Sequence, residues 1–271
     1  MTARADRAEE TGGAEETGGA EAIGGADGPG SPGGPGGGPG AALLARLRGR
    51  LVVSCQAYPG EPLRDPDAMR RMALAVLDGG AAGIRAQGLA DLRAIRAATD
   101  APLIGLWKDG DGGVVITPTA AHARAVAETG ADVVAVDATD RPRPDGREVA
   151  ESFEAVRRAG RLVMADVSTY EEGLRAADLG ADLIGTTLSG YTGRSPAPGG
   201  GPDLDLVERL AAGVRVPVLA EGRIGTPAEA AQALARGAYA VVVGTAITHP
   251  TTLTRHFATA LAPAPGARPD E

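Results

Sequence analysis

Short apolar runs alternate with amphipathic stretches along the chain from about residue 50 onwards. The apolar runs have the length and near-continuous hydrophobicity of parallel strands that are buried on both faces. The stretches between them are rich in alanine and arginine, and several begin at Thr or Asp and end at Gly, as helices do. Strands are therefore predicted at residues 51–55, 82–86, 102–107, 132–137, 161–166, 182–187, 216–221 and 238–244.

The regular spacing of these runs predicts an α/β fold, a single closed (β/α)8 barrel or TIM barrel. Strand starts recur roughly every 21 to 34 residues, which is the size of one strand-plus-helix unit. Eight such units in series favour a closed barrel. The alternative is a doubly wound open sheet, but the segment after the first run, SCQAYPGEP, is not the glycine fingerprint expected there.

The two ends of the chain differ from the predicted barrel domain, which spans residues 41–262. Residues 1–40 hold 14 of the 41 glycines, seven acidic residues and two arginines, with almost no large apolar side chain. Because such a segment can bury very little, it is predicted to be a disordered acidic tail, and residues 263–271 are predicted to be a flexible tail. Residues 41–50 are predicted to form a short helix that closes the barrel floor.

Composition narrows the classes of function. Outside the first 40 residues the net charge is only -3, against -8 for the whole chain, which argues against nucleic acid or a membrane surface as the partner. No signal peptide or membrane span is predicted. The lone cysteine, Cys55, excludes an internal disulfide and fits a reducing cytoplasm. The three histidines, His122, His249 and His256, are scattered, so neither a metal site nor a cofactor is predicted.

Lys108 is the only lysine among 27 basic residues. Arginine keeps its charge in proteins, whereas a desolvated lysine can lose its proton and act as a base or a nucleophile. The only tryptophan, Trp107, precedes it, and burial beside this ring and Leu106 is expected to lower the lysine pKa. A codon bias towards arginine would explain the count without any chemical role, so the interpretation depends on where Lys108 lies in the barrel.

Polar and charged residues end the predicted strands, at the edge of the barrel where enzymes of this fold carry their catalytic groups. In chain order they are Gln56, Arg85, Lys108, Asp137, Asp166, Thr186, Thr187 and Glu221. Five of the eight strands end in a charged residue. This pattern favours an active-site mouth over strand ends that are polar only because they meet water.

The last two strands are followed by a predicted phosphate site. The segments AEGRIGTP (220–227) and VVVGTAI (241–247) place glycines and backbone N–H groups after strands seven and eight, where barrels commonly hold phosphate. Arg223 would add charge-assisted hydrogen bonds to such a site. Glycines that merely close tight turns would give similar strings, so the prediction depends on their position in the barrel.

Nine motifs follow one another along the chain: SCQAYPGEP, GIRAQG, IGLWKD, ITPT, AVDATDRPRPDG, MADVST, GTTLSGYT, AEGRIGTP and YAVVVGTAIT. Together they resemble the N-acetylmannosamine-6-phosphate 2-epimerase family, in a match that runs in order from about residue 42 to residue 261. Its members are phosphosugar-binding (β/α)8 barrels that interconvert N-acetylmannosamine 6-phosphate and N-acetylglucosamine 6-phosphate in sialic acid catabolism. The resemblance implies an isomerase acting on a sugar phosphate, and it suggests a homodimer.

The resemblance also implies roles for individual residues. Lys108 is implied to be catalytic, with Glu221 as its acidic companion. Contacts to the sugar are implied for Gln56, Arg85 and Asp137, and Thr186 and Tyr191 are further candidates from their positions at the mouth. Phosphate is implied to lie against Gly222, Arg223, Gly244 and Thr245. An ion pair with Arg85 or Lys108 is an equally reasonable role for Asp137.

One departure from the family pattern concerns phosphate. The family usually has the sequence ITRP, with an arginine that contacts phosphate, where this chain has Ile247-Thr248-His249-Pro250. Histidine is shorter and only partly charged near neutral pH. Phosphate binding is therefore expected to be weaker, more dependent on pH, or carried mainly by Arg223.

Inversion at carbon 2 requires removal of a hydrogen beside the open-chain aldehyde. The base needs a pKa near the working pH, and the enolate needs stabilisation. Lys108 is the predicted base, Arg85 would stabilise the negative charge, and Glu221 would pass a proton to oxygen or to the opposite face.

Two other functions stay open from the sequence. A strand-end lysine also serves Schiff-base aldolases, and a phosphosugar-binding regulatory barrel would keep the fold without turnover. The long loop at residues 189–202 is predicted to be either a lid, with Tyr191 and Arg194 over the substrate, or disordered.

Overall fold

Eight parallel strands close into a barrel in a computed structural model that describes residues 39–195 and 200–262. Each strand pairs with its neighbour in chain order, and the last strand pairs with the first. The strands are β1 (Leu51–Cys55), β2 (Gly83–Gln87), β3 (Leu103–Leu106), β4 (Val133–Asp137), β5 (Leu162–Asp166), β6 (Leu183–Gly185), β7 (Val218–Glu221) and β8 (Ala240–Val243). The closed order confirms the predicted TIM barrel and excludes the open sheet.

Helices alternate with the strands around the outside of the barrel. They are α1 (Pro39–Leu47), α2 (Pro66–Asp78), α3 (Leu89–Arg96), α4 (Ala120–Ala127), α5 (Val149–Arg158), α6 (Tyr170–Asp178), α7 (Leu204–Gly213), α8 (Pro227–Ala235), α9 (Thr245–Thr248) and α10 (Pro250–Leu261). Several start as the sequence predicts. Thr169 and Thr226, for example, each cap a helix in a reciprocal pair with the glutamate three residues later.

Each observed strand overlaps a predicted one, although most are shorter. Seven strands begin one or two residues later than predicted, and in two of them, β3 and β7, the residue before the strand is a proline, Pro102 and Pro217. Proline has no N–H to donate into a ladder, so pairing starts at the following residue. The apolar pattern of the sequence extends over these prolines, which explains the longer predicted runs.

The side chains of each strand alternate between two apolar layers. In β4, Val133 and Ala135 belong to the core inside the barrel, whereas Val134 and Val136 belong to the core between strands and helices. Alternation is the rule for extended backbone. It places Asp137, two residues after Ala135, inside the barrel at its carboxyl end.

The short helix α1 closes the amino-terminal end of the barrel, as predicted. Leu47 is fully buried in the inner core, and Leu43 and Leu44 pack against that core. The Tyr239 hydroxyl donates a hydrogen bond of 2.9 Å to the carbonyl of Leu44, which ties α1 to the start of β8. The opposite end of the barrel is left for a binding site.

The two predicted tails, residues 1–40 and 263–271, lie outside the described part of the chain, except that Pro39 and Gly40 begin α1. Four residues of the predicted lid loop, 196–199, are outside it as well. Among the described helices, none has both the length and the apolar character needed to cross a membrane.

Candidate active site

The carboxyl ends of the strands surround a cavity of about 690 Å³, which is within the usual size range for a small-molecule site. We call it the mouth cavity. Nine residues predicted for the site line it: Gln56, Lys108, Tyr191, Glu221, Gly222, Arg223, Gly244, Thr245 and His249. The other three, Arg85, Asp137 and Thr186, are buried in the barrel.

Lys108 lies beyond the end of β3, on a hairpin formed by residues 107–117. Lys108 bridges to Ile116, and the N–H of Thr117 donates to the carbonyl of Trp107 at 2.7 Å. The hairpin is joined to β4 because the N–H of Asp137 donates to the carbonyl of Ile116 at 3.0 Å. Since Ile116 is buried in the inner core, the backbone that carries the lysine is fixed on two sides.

The amine of Lys108 has a lowered pKa. The main cause is loss of water around the amine, and the second is the nearby charge of Arg85. The Lys108 side chain as a whole is exposed, because the mouth of the barrel is open. The loss of water therefore concerns the surroundings of the amine and not the entire side chain. The direction is the one expected from the sequence, and it favours a neutral amine.

Trp107 does not contribute to this desolvation as the sequence suggested, and that expectation is wrong. Its ring packs on the strand–helix side, against the ring of His122 with centroids 4.4 Å apart. Neighbouring residues of an extended segment point to opposite sides, so Lys108 and Trp107 diverge. The aromatic ring near the amine is that of Tyr58, whose centroid lies 5.7 Å from Lys108 Nζ.

Arg85 is the charged centre of the barrel interior. Its guanidinium donates to both carboxylate oxygens of Asp166, at 3.1 and 2.6 Å, and both side chains are almost fully buried. Burial alone would lower the pKa of Arg85, but Asp166 and Glu221 outweigh it and raise that pKa. Arg85 is therefore a permanent positive charge at the base of the mouth cavity.

Glu221 also lies beside the charge of Arg85, but it keeps its proton up to a higher pH than an ordinary glutamate does. Its Oε2 lies 3.0 Å from Arg85 Nη1, although the geometry is not that of a hydrogen bond, and 12% of its side chain is exposed. Burial raises its pKa to about 7, with Arg85 opposing the shift and Asp166 adding to it. Glu221 can therefore act as a proton donor near neutral pH.

Asp166 and Thr187 complete the cluster, although the sequence patterns gave neither of them a role beyond a place at a strand end. The hydroxyl of Thr187 donates to Asp166 Oδ1 at 2.7 Å and also interacts with Glu221. Thr187 lines the mouth cavity, whereas the Thr186 hydroxyl donates to the carbonyl of Glu221 and accepts from its N–H, at 2.9 and 3.0 Å. Thr186 therefore positions β7, and Thr187 is the residue that faces the cavity.

Asp137 is paired with Arg141 and not with Arg85 or Lys108, so the ion pairs considered from the sequence are absent from the described residues. Arg141 Nη2 lies 2.5 Å from Asp137 Oδ2, and Thr139 donates to the other oxygen from its N–H and its hydroxyl. Burial raises the pKa of Asp137, while Thr139 and Arg141 oppose the shift. Arg141 itself lines the mouth cavity, a position that the strand-end pattern could not reveal because it lies in the following loop.

Two turns after the last strands form the opposite wall of the cavity. Gly222 and Arg223 both have positive φ, at 111° and 54°, which turns the chain sharply after β7. Arg223 donates to the carbonyls of Ser189 and Gly201, at 2.5 and 2.8 Å. Arg223 therefore holds the described ends of the 189–202 loop, and it does so from a residue that lines the cavity.

His249 is buried between the cavity and the loop after β1. It is 4% exposed, its ring lies 4.9 Å from that of Tyr58, and its Nδ1 is 3.7 Å from Glu61 Oε2. Nδ1 has no hydrogen-bond partner among the described residues. The ring is thus held by packing, with a polar atom left for a ligand or for Glu61.

The arrangement supports proton transfer beside a carbonyl. A lysine with a lowered pKa and a glutamic acid with a raised pKa line one cavity, and pairs of this kind divide into base and acid. Arg85 can stabilise negative charge that develops between them. In the described part of the chain, no group of three or more His, Cys, Asp or Glu is placed to hold a metal ion.

Fold and site together define a (β/α)8-barrel enzyme with acid–base groups at the carboxyl ends of its strands. A family model described as "Putative N-acetylmannosamine-6-phosphate epimerase" matches residues 69–263. The chain belongs to this N-acetylmannosamine-6-phosphate 2-epimerase family.

Similar proteins match nearly their full length. A protein of Cutibacterium acnes named "Putative N-acetylmannosamine-6-phosphate 2-epimerase" is 54% identical, over 81% of this chain and 96% of its own. A protein of the same name from Caldanaerobacter subterraneus is 52% identical, over 80% and 93%. The solved N-acetylmannosamine-6-phosphate 2-epimerase from Clostridium perfringens is 45% identical, with a TM-score of 0.78 over 81% of this chain and 96% of that one.

Proposed function

We propose that this enzyme inverts carbon 2 of N-acetylmannosamine 6-phosphate to give N-acetylglucosamine 6-phosphate, in the breakdown of amino sugars. The observation that carries the proposal is the pair formed by Lys108 and Glu221, which line one cavity with pKa values shifted in opposite directions. The lowered pKa of Lys108 favours a neutral base, and the raised pKa of Glu221, about 7, favours an acid that keeps its proton in the same cavity. Membership of the epimerase family supports the same reaction.

The proposed step begins with the open-chain form of the substrate. Neutral Lys108 removes the hydrogen from carbon 2, and the electrons of that bond move into the aldehyde carbonyl to give an enolate. The charge on the enolate oxygen is stabilised by Arg85 from below, whose own charge is held by Asp166. Return of a proton to the other face of carbon 2 gives the inverted product.

Glu221 is proposed to manage the proton on oxygen or on the opposite face. Its raised pKa of about 7 keeps the acid form populated at neutral pH. The Thr187 hydroxyl, which donates to Asp166 Oδ1, lies close enough to moderate the shift of the Glu221 pKa. Glu221 Oε2 is left without a hydrogen-bond partner among the described residues.

The rest of the mouth cavity is proposed to bind the two ends of the substrate. Sugar hydroxyls would meet Gln56, Thr187, Tyr191 and Arg141, with Asp137 fixing Arg141 from behind. Phosphate would lie at the wall formed by Gly222, Arg223, Gly244, Thr245 and His249. Backbone N–H groups in glycine turns suit this anion, and Arg223 adds charge although two of its N–H groups already bind the loop.

A homodimer in the cytoplasm is the proposed state of the enzyme. Helix α10 has no buried residue, and its Phe257 and Leu261 are 73% and 83% exposed. Large apolar side chains in such positions often mark a protein contact. The free thiol of Cys55 is consistent with a reducing compartment.

Following the reaction in deuterated water tests the proposal directly. Wild-type enzyme should exchange the carbon 2 hydrogen and invert the centre. In Lys108→Arg both rates should fall by ~100-fold to 10,000-fold, because arginine has no free electron pair with which to take the proton. Asp111→Asn is a matched control, since it changes a charge in the same exposed hairpin without touching the amine. Near wild-type turnover in folded Lys108→Arg would contradict the proposal.

Borohydride trapping, combined with the exchange measurement, separates the epimerase from the aldolase and from the regulatory barrel. An aldolase would form a Schiff base, so borohydride would trap the substrate on Lys108. A regulatory barrel would bind the sugar phosphate without any exchange at carbon 2. Exchange without trapping supports the epimerase.

A further inference from the structure

A second cavity lies outside the barrel mouth, between the loop after β4 and helix α6. It has a volume of about 380 Å³ and is lined by residues 138–143, 146–149, 175, 176 and 179. We call it the outer cavity. Among the residues that the structure describes, Arg141 alone lines both the outer cavity and the mouth cavity, so this side chain connects the two sites.

The outer cavity is basic in a chain that is acidic overall. Four arginines line it, namely Arg141, Arg143, Arg147 and Arg175, against two acids, Asp140 and Glu148. Three of these arginines are in ion pairs, Arg141 with Asp137, Arg147 with Glu151 and Arg175 with Asp140. Arg143 is the one without a carboxylate within ion-pair distance among the described residues, in a chain whose net charge is -8.

Arg143 is the most deeply placed of these arginines, with 7% of its surface exposed. It donates to the carbonyl of Asp137 at 2.8 Å and to the hydroxyl of Ser152 at 3.4 Å. Its Nε has no acceptor among the described residues. A buried guanidinium without a carboxylate partner leaves positive charge beside the cavity, and an anion would satisfy it.

Helix α5 begins at the same cavity. Glu148 and Val149, at its amino terminus, are part of the lining, and the cap residue Glu148 makes no side-chain hydrogen bond to the helix. The first N–H groups of a helix have no partners within it and carry a partial positive charge. A ten-residue helix start beside a buried arginine is a suitable place for an oxyanion.

We infer that the outer cavity binds the phosphate group of a small phosphorylated molecule and that Arg141 transmits this binding to the mouth cavity. Phosphate fits guanidinium groups through paired, charge-assisted hydrogen bonds. The volume exceeds what a bare phosphate ion fills, which favours a phosphate monoester.

The link to the mouth cavity is the ion pair between Arg141 and Asp137. Arg141 Nη2 lies 2.5 Å from Asp137 Oδ2, and its Nε donates to the Thr139 hydroxyl at 3.0 Å. An anion in the outer cavity competes with Asp137 for the same guanidinium. Asp137 is fully buried, so a weakened pair changes both the lining of the mouth cavity and the charge beneath it.

Equilibrium dialysis of labelled inorganic phosphate against the full chain tests the site without any need for turnover. We expect two phosphates per chain, one in each cavity. Arg147→Gln and Arg175→Gln should each weaken one of the two by ~tenfold, since neither residue lines the mouth cavity. Arg158→Gln is the matched control because it removes the same charge from the far end of α5 and lines neither cavity. Glycerol 3-phosphate should displace the second phosphate, and acetate should not.

Several results would overturn the inference: a single phosphate per chain in the wild type, retention of both in Arg147→Gln and Arg175→Gln, or equal weakening in Arg158→Gln. Steady-state kinetics in the presence of phosphate test the coupling between the two cavities separately. Phosphate that competes in the mouth cavity raises KM only, whereas phosphate in the outer cavity should also change kcat. A kcat effect that persists in Arg147→Gln would refute the link. The dialysis measurement needs no turnover, so its result does not depend on whether the proposed epimerase activity is found.

Discussion

Glu221 lies 3.0 Å from Arg85 but is not hydrogen-bonded to it. The two groups therefore interact through charge alone, while Asp166 takes the directed hydrogen bonds of the guanidinium. The two carboxyl groups beside Arg85 therefore differ in how they interact with it. Asp166 pairs with Arg85, and burial raises the pKa of Glu221 to about 7, with Arg85 opposing the shift and Asp166 adding to it.

Replacing the glutamate should separate proton abstraction from inversion. In Glu221→Gln we expect exchange of the carbon 2 hydrogen to continue through Lys108, while net inversion falls by ~100-fold or more if the carboxyl group protonates the opposite face. Deuterium incorporation and product formation can be followed together by nuclear magnetic resonance. Equal loss of exchange and inversion would instead show that abstraction itself depends on Glu221.

The same variant should alter the dependence of stability on pH. Glu221 has a pKa of about 7 in the folded protein against an ordinary value of 4.5, so the folded state binds a proton that the unfolded state has lost between these values. Its contribution is complete below about pH 4.5 and is lost as the pH rises through about 7. Glu221→Gln should therefore match the wild type at low pH and have a Tm higher by about 2–4 °C or more at pH 8.

Melting curves between pH 4.5 and 8 measure this difference. Groups whose titration does not depend on Glu221, such as Asp137, cancel in the comparison, whereas the pKa of Lys108 should fall further in the variant because the charge of Glu221 opposes its lowering. A difference in Tm that stays constant over the whole range would show that burial of Glu221 does not set its titration.

His249 provides a prediction about phosphate. His249→Arg should lower KM at every pH between roughly 6 and 8, because arginine is longer than histidine and carries a permanent charge that suits phosphate. KM measured at several pH values for both proteins gives the comparison. An unchanged KM over the range would mean that His249 does not contact phosphate and that Arg223 and the glycine turns hold it.

Glu61 supplies a control for this substitution, since its carboxylate is 3.7 Å from His249. A new arginine could pair with Glu61 and be unavailable to phosphate. The double variant Glu61→Gln, His249→Arg removes that pair, so KM should fall further in it than in the single variant.

The barrel wall provides a prediction about packing. A Cβ at Gly105 would lie 2.8 Å from Ala131 Cβ and 2.9 Å from Val126 Cγ1. Gly105→Ala should therefore cost about 1–3 kcal/mol of unfolding free energy through overpacking between β3 and α4. Thermal unfolding of Gly112→Ala is the control, since a Cβ there meets nothing within 4 Å, and a Tm equally lowered in both would refute the packing argument.

The strand positions and the charged mouth could be predicted because both follow from local patterns. Alternation along each strand fixes which residues face inward, so the amino-acid sequence alone assigns Arg85, Asp137, Asp166 and Glu221 to the carboxyl end of the barrel. Alternation no longer predicts which side chain faces inward beyond the end of a strand. Thr186 and Thr187 lie just beyond β6, and the cavity contact belongs to Thr187.

Pairing between distant residues could not be predicted. Asp137 binds Arg141 because the loop after β4 folds back over its own strand, and the sequence shows nothing that separates this partner from Arg85. A loop conformation decides this pair, and loops lack the periodicity on which the strand predictions rest. The direction of Trp107 differs in kind, because alternation after Leu106 already turns it to the strand–helix side.

The hairpin at residues 107–117 also has a consequence for redesign. Lys108 lies at the anchored base of this hairpin, where it bridges to Ile116, so the tip can be lengthened without moving the amine and without rebuilding the barrel. The tip, residues 109–113, is exposed, and the two anchors are Thr117 and the Ile116 carbonyl. Insertions at the tip should leave the anchors in place, which makes this hairpin the natural segment to vary when fitting the enzyme to substrates of other sizes.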